Sequence, residues 1–252
     1  MNELALFAGG GGSILAGKLL GWRTRCAVEI DAGARRILLD RQRDGVIEQF
    51  PIWDDVRTFD GDQWRNHIDV ITAGFPCQDI SICGKGAGID GERSGLWSET
   101  ARIIREVRPG IALLENSPML LVRGFERVLT DLAGMGMHAR WGVFRASGVG
   151  ACHQRSRLYV VAYADRKFLE GLDIPQSAFI DTKKSRRRQL ARAIDAALPA
   201  DDYAEMPRNP NDVARGMDGL KATWNGWVPV VAARAFIALA RQSHHQQSEP
   251  QS

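Results

Sequence analysis

The octapeptide Gly74-Phe75-Pro76-Cys77-Gln78-Asp79-Ile80-Ser81 carries the strongest chemical signal in the chain. Asp69-Val70-Ile71-Thr72-Ala73 reads as a buried strand, which puts Cys77 just past a strand's C-terminal end. Ligands and chemistry collect at such ends in an open α/β sheet. Pro76 fixes its own φ and restricts Phe75, so the thiol is presented on a stiff turn. A cysteine held in that way is a candidate nucleophile once a neighbour favours the thiolate. A buried structural cysteine is the ordinary alternative, because unpaired Cys is among the most buried residue types.

Other strand ends carry complementary groups. The run Gly9-Gly10-Gly11-Gly12 follows an apolar strand (Glu3–Phe7) and precedes a helical pattern (Ile14, Leu15, Leu19, Leu20), so its backbone N–H groups are available at a helix N-terminus. Glu29 closes a second strand, Arg25–Ile30, where a carboxylate accepts from ribose hydroxyls. These glycines depart from G-x-G-x-x-G because Ile14 occupies the last place. That argues against a pyrophosphate-bearing dinucleotide and for a smaller nucleoside ligand. Glu115 ends the strand Gly110–Glu115, and a carboxyl group opposite a thiolate suits addition to an electron-poor ring. One group attacks carbon while the other holds or protonates a ring nitrogen. Arg155 and Arg157 alternate at a strand start and can share one ligand rim. Singly, each feature has a plainer reading: a structural turn, a helix cap or ion-pair partner, a solvated arginine face.

The elements that must position these groups alternate along the first two thirds of the chain. Helical patterns span Trp97–Val107 and Arg123–Met135, and a further strand spans Arg157–Ala162. Strand–helix alternation predicts an α/β fold with a doubly wound, mostly parallel, Rossmann-like sheet. Residues 1–164 form the expected catalytic and cofactor-binding domain, and 165–218 a short, charged, Pro-punctuated insert with one helical candidate, Arg186–Leu198. Residues 219–241 return to the main domain through an apolar helix (Val230–Ala240), and 242–252 form a polar tail.

With 252 residues, 44% hydrophobic and 25% charged, the composition is that of a globular protein with a sizeable core. A net charge of +3 does not by itself announce a nucleic-acid partner, although Lys183-Lys184-Ser185-Arg186-Arg187-Arg188 is a local basic cluster. The four cysteines (Cys26, Cys77, Cys83, Cys152) have neither CxxC nor metal-ligand spacing. No stretch has the length of a membrane span, and cytoplasmic localisation is expected.

Taken in order, these residues resemble the C5-cytosine DNA methyltransferases, in a compact form similar to phage and prophage members. Phe7-Ala8-Gly9-Gly10-Gly11-Gly12 resembles the family's F-x-G-x-G-G cofactor turn, and Glu29-Ile30-Asp31 its acidic ribose-binding step. Asp54-Asp55-Val56 is similar to the aspartate segment that meets the adenine amino group, with Asp55 the better match. Gly74-Phe75-Pro76-Cys77-Gln78 is the nucleophile motif in full. Gly91–Trp97 resembles the end of the family's mobile loop, Glu115-Asn116 its ENV motif, and Gln154-Arg155-Ser156-Arg157 its Q-x-R-x-R strand. Asn225-Gly226-Trp227-Val228-Pro229 loosely matches the last motif.

The resemblance implies S-adenosyl-L-methionine as cofactor and double-stranded DNA as substrate. The implied catalytic residues are Cys77, Glu115, Arg157, Asn116 and Arg155. The implied cofactor contacts are Phe7, Gly9, Gly11, Gly12, Glu29, Ile30, Asp55, Val56, Pro76, Leu96 and Asn225. For DNA they are Gln78, Ser81, Lys85, Arg93 and Gln154, the stretch Ile80–Ser98 acting as a glycine-hinged lid. A monomer is expected, with a cognate restriction endonuclease as a further partner and no metal. Three departures stand out: His153 and Cys152 where the family has Gln and Pro, Trp224 where it has Gly, and a short recognition insert. RNA as substrate, a non-catalytic binding protein and a nicotinamide or flavin oxidoreductase are the alternatives.

Overall fold

The computed structural model describes residues 1–76, 95–145, 156–175 and 227–241. They form a seven-stranded sheet in the order β3-β2-β1-β4-β5-β7-β6. The strands are β1 (Asn2–Leu6), β2 (Arg23–Val28), β3 (Ile52–Trp53), β4 (Val70–Ala73), β5 (Ile111–Asn116), β6 (His138–Arg145) and β7 (Ser156–Tyr163). Strands β1 to β5 run parallel, β7 is antiparallel to β5, and β6 is antiparallel to β7. The expected doubly wound, mostly parallel sheet is therefore present. Buried on both faces, β4 reads VITA and β5 reads IALLEN, continuous runs rather than alternation.

Helices cover both faces. On one side lie α3 (Gly95–Val107) and α4 (Phe125–Gly134), packed on Leu4, Leu6, Ile71, Leu114 and Val160. Helix α3 buries Trp97, Thr100, Ala101, Ile103, Ile104 and Val107, a stripe at helical spacing. On the other side lie α1 (Gly12–Leu19), α2 (Ala32–Arg43), α5 (Arg166–Glu170) and α6 (Pro229–Ala240). Helix α6 is apolar on nearly every side because it is sandwiched between α1 and strands β6 and β7. Arg140 closes its C-terminal end by donating to the carbonyls of Leu239 (3.1 Å) and Ala240 (2.8 Å).

Four elements lie outside the pattern read from sequence, among them the five-residue helix α5, which buries only Leu169. Helix α2 buries only Ala34, Leu38 and Arg41, too thin an apolar stripe to announce itself, and is started by Asp31, whose side chain accepts from Ala34 N at 2.7 Å. Strand β3 has two residues. Strand β6 is an edge strand of mixed polarity (HARWGVFR), half exposed along its length. The helix expected over Arg123–Met135 is shorter: a 3-10 turn spans Pro118–Val122, and α4 begins only after Gly124, whose φ of 101° breaks the helical path.

Candidate active site

Strand order reverses between β1 and β4, since the chain runs outward through β2 and β3 in one direction and through β4 and β5 in the other. Such a switch point opens a crevice at the C-terminal ends of the two strands. Leu6 is in register with Ala73, so the chain leaves both strands side by side. Phe7 leads into the glycine turn, and Gly74 begins the segment that runs on to Cys77 in sequence.

The glycine turn is tightly constrained. Phe7, Gly9 and Gly11 have φ of 52°, 54° and 93°, a left-handed path that costs a non-glycine residue such as Phe7 roughly 1–3 kcal/mol. Glu29 compensates from the end of β2. Its Oε2 accepts from Gly9 N at 2.7 Å and its Oε1 from Asp31 N at 2.8 Å. One buried carboxylate thus ties the turn after β1 to the start of α2, with acceptor capacity left over. Arg41, also buried, donates from below to the carbonyl of Gly10. No sequence pattern singled out Arg41; a basic residue on the buried stripe of α2 is the one trace it leaves.

Beside Glu29 stand two exposed apolar groups, Ile30 (60% exposed) and Trp53 (45% exposed). Trp53 pairs with Val28 in the β2–β3 register, and its indole donates to Thr58 Oγ1 at 3.0 Å. Asp55 starts a 3-10 turn (Val56–Thr58) by accepting from Arg57 N at 3.0 Å. The Val56 side chain is buried in the core, and Leu96, at the start of α3, packs against that core.

The second half of the crevice is built by β5 and β7. Leu114 is in register with Ala73, which sets Glu115 beside Gly74 and Asn116 beside Phe75. Asn116 Nδ2 donates to the Phe75 carbonyl at 3.2 Å, and Asn116 Oδ1 accepts from Ser117 N at 2.7 Å. Phe75 is buried against Trp97, ring centroids 5.2 Å apart. Glu115 is opposite Tyr159 on β7, so Arg157 is the diagonal neighbour on the same face. Arg157 Nε and Glu115 Oε1 form an ion pair at 2.7 Å. The acid and the cation expected to act on one ring are therefore partners of each other at this rim.

Trp227, just before α6, closes the floor. It is 8% exposed, meets Tyr159 edge to face at 5.7 Å, and lies against both Gly12 and Gly74. Its function was not apparent from sequence. A groove of about 620 Å³ at the opposite end of the sheet, bordered by Arg23, Arg25, Trp64 and His67, is remote from these groups.

Comparison with known proteins gives the family. The C-5 cytosine-specific DNA methylase family profile matches residues 1–226. The chain belongs to that family. It is 37% identical over 163 residues to the type II methyltransferase M.CviJI of Paramecium bursaria Chlorella virus IL3A, covering 64% of this chain and 42% of that protein. It is 33% identical over 220 residues to the type II methyltransferase M.Eco47II of Escherichia coli, covering 83% and 51%. The chain thus spans about half the length of the curated relatives it matches. Among solved structures, the S. pombe Dnmt2 methyltransferase shares the fold with a TM-score of 0.56 at 18% identity, over 84% of this chain and 63% of that one. A protein described as an E. coli prophage-encoded DNA modification methyltransferase does so with a TM-score of 0.54 at 23% identity, over 73% and 51%.

At this crevice the structure brings together Phe7, Gly9, Gly11, Gly12, Glu29, Ile30, Glu115, Asn116 and Arg157 at adjoining strand ends. Pro76 is the last described residue of its turn. Cys77, Gln78, Ser81, Lys85, Arg93, Gln154, Arg155 and Asn225 lie outside the described residues, as do His153, Trp224, the basic run from Lys183 and the helix expected over Arg186–Leu198. Among the described residues, no helix is long and apolar enough to cross a membrane.

Proposed function

We propose that this chain is a DNA cytosine-C5 methyltransferase that uses S-adenosyl-L-methionine. The observation that supports this reading best is the Glu115–Arg157 ion pair, 2.7 Å long, beside Gly74 at the same switch point as the Glu29-braced glycine turn. The residues present suit a sulfonium nucleoside. Glu29 would offer lone pairs to ribose hydroxyls, Ile30 and Trp53 offer exposed apolar surface to an adenine, and Asp55 is the nearby carboxylate that would accept from its amino group. Bound there, S-adenosylmethionine supplies an electrophilic methyl group.

The chain's own residues do the remaining work. A stacked cytosine hides C6, so the base is swung out into the crevice at a cost of a few kcal/mol. The Cys77 thiolate forms a bond to C6, and the C5–C6 π electrons move to C5, the atom that gains the methyl. Glu115 binds and protonates N3, which cancels the negative charge that accumulates on the ring. Arg157, freed from Glu115 by the incoming base, donates to O2. Loss of the C5 proton to solvent and return of the N3 proton to Glu115 then restore the C5–C6 double bond as the S–C6 bond breaks and Cys77 leaves as thiolate. Asn116 holds the Phe75 carbonyl and so keeps the turn before Cys77 in place.

The relatives' names as type II methyltransferases suggest a cognate restriction endonuclease as a further partner. The short segment 165–218 is proposed as the recognition insert, its basic run contributing mainly phosphate affinity. The deciding experiment incubates purified protein with methyl-labelled S-adenosylmethionine and either duplex DNA or tRNA. Label in the C5 position of DNA cytosine, absent in Cys77→Ser, is expected. Label in tRNA alone moves the substrate to RNA, and no label in either removes the catalytic reading.

A further inference from the structure

Trp227 occupies an unusual place for a core tryptophan, because it meets the backbone of both functional turns with no side chain between. At Gly12, the first residue of α1, an added methyl would lie 2.5 Å from the Trp227 carbonyl oxygen and 3.0 Å from its Cβ. At Gly74, where β4 gives way to the Cys77 turn, an added methyl would overlap the indole Nε1 and stand 3.3 Å from Glu115 Oε2. The indole ring is held edge to face by Tyr159, the residue opposite Glu115 in the β5–β7 register. One residue from the C-terminal segment therefore touches the cofactor turn with its backbone, and the start of the nucleophile turn with its ring. The Glu115 carboxylate is the next neighbour.

Gly74 has no positive φ, so its lack of a side chain answers to space and not to backbone path. The space is filled by the indole. Val70, Ile111 and Leu113 belong to the same buried cluster as Trp227 and Tyr159. Well-packed interiors pass a displacement on rather than absorbing it.

We propose that Trp227 is a positioning residue that sets the spacing between the cofactor turn at Gly12 and the Gly74–Glu115 edge of the base pocket. The inference rests on the methyltransferase reading above. It assigns to Trp227 a part in aligning the donor with the ring, since a misplacement of about 1 Å costs roughly a hundredfold in rate.

A double-mutant cycle on the full chain tests it, with Trp227→Val, Gly74→Ala and the combination. Turnover on duplex DNA, S-adenosylmethionine Kd by calorimetry, and Tm are measured for each, at a temperature where circular dichroism shows every variant folded. Trp227→Val is expected to lower kcat and weaken Kd by at least about tenfold each. Gly74→Ala, which forces the indole aside, is expected to do the same. Adding Trp227→Val to Gly74→Ala is expected to recover activity over Gly74→Ala alone, because the obstructing ring is gone. Trp227→Phe serves where the valine variant does not fold, and should retain intermediate activity. Kd and kcat within twofold of wild type for the Trp227 variant that folds, with only Tm lowered, would mean a packing role and overturn the proposal. So would a double variant no better than Gly74→Ala. A working wild type with no coupling sinks this inference alone, whereas a wild type that neither binds S-adenosylmethionine nor transfers methyl sinks the functional reading with it.

Discussion

Asn116 Nδ2 donates to the carbonyl oxygen of Phe75 at 3.2 Å, joining the end of β5 to the turn that leads to Cys77. Both groups are buried, and the bond spans two strands that meet only through the sheet register. Asn116→Ala leaves the Phe75 carbonyl without this donor, at a stability cost of about 1–3 kcal/mol. Turnover of the folded variant should also fall, by roughly a hundredfold, because the segment leading to the nucleophile loses its brace. Thermal melts and single-turnover methylation on the same preparation check this; a lowered Tm with an unchanged single-turnover rate would indicate a brace for the fold only.

The Glu115–Arg157 pair makes opposite predictions for its two members. Glu115→Gln keeps the shape but removes the acid, so methyl transfer should drop by about 10²–10⁴ with the protein still folded. Arg157→Ala takes the ionic partner from a buried carboxylate and should cost about 2–3 kcal/mol of stability, moderated because the guanidinium is partly exposed. Denaturant titrations of both variants, run beside the methylation assay, separate the two effects.

Glu29 holds two backbone amides at once, and its loss should register in cofactor affinity before it registers in chemistry. Glu29→Ala frees Gly9 N and Asp31 N and removes the acceptor for ribose hydroxyls. Charge-assisted bonds of this kind contribute about 1.5–3 kcal/mol each, so S-adenosylmethionine Kd should rise at least about a hundredfold. Calorimetric titration gives the value directly, and an unchanged Kd would move the ribose elsewhere.

Glu3 predicts a pH dependence unrelated to catalysis. It is fully buried on β1, accepts from Thr24 Oγ1 and Thr72 Oγ1 at 2.7 Å each, and lies beneath Gly17 of α1. Burial pushes its carboxyl up from an ordinary 4.5 to about 7, the two hydroxyl bonds opposing the rise. The folded state therefore keeps a proton that the unfolded chain releases between those values. This contribution to stability is full below pH 4.5 and is lost as pH rises through 7, by an amount on the order of 3 kcal/mol. Glu3→Gln should flatten Tm against pH across that interval and raise it at neutral pH. A wild-type Tm that climbs from pH 5 to 7 in step with the variant would contradict this assignment.

The local chemistry was legible because it is written in contiguous residues. The apolar run before Cys77 predicts a strand ending at Ala73, and β4 ends there; the Phe7–Gly12 turn, Glu29 and Glu115 stand at strand ends as their flanking apolar runs imply. Strands buried on both faces, and the amphipathic α3, carry strong periodic signals. Helix α2, two-residue β3 and edge strand β6 do not, since each buries little apolar surface and a pattern reader sees only burial.

Motif order along the chain was enough to name the groups and the chemistry they suit. It was silent on who touches whom. Pairing of Glu115 with Arg157 follows from strand register, the hold of Arg41 on Gly10 from the way α2 packs under the turn, and the seat of Trp227 from the return of the C-terminal segment across the sheet. These contacts join residues tens to hundreds of positions apart, and no short window of sequence contains both partners. Their geometry exists only once β1 and β4 lie side by side and helices on both faces have closed the core around them.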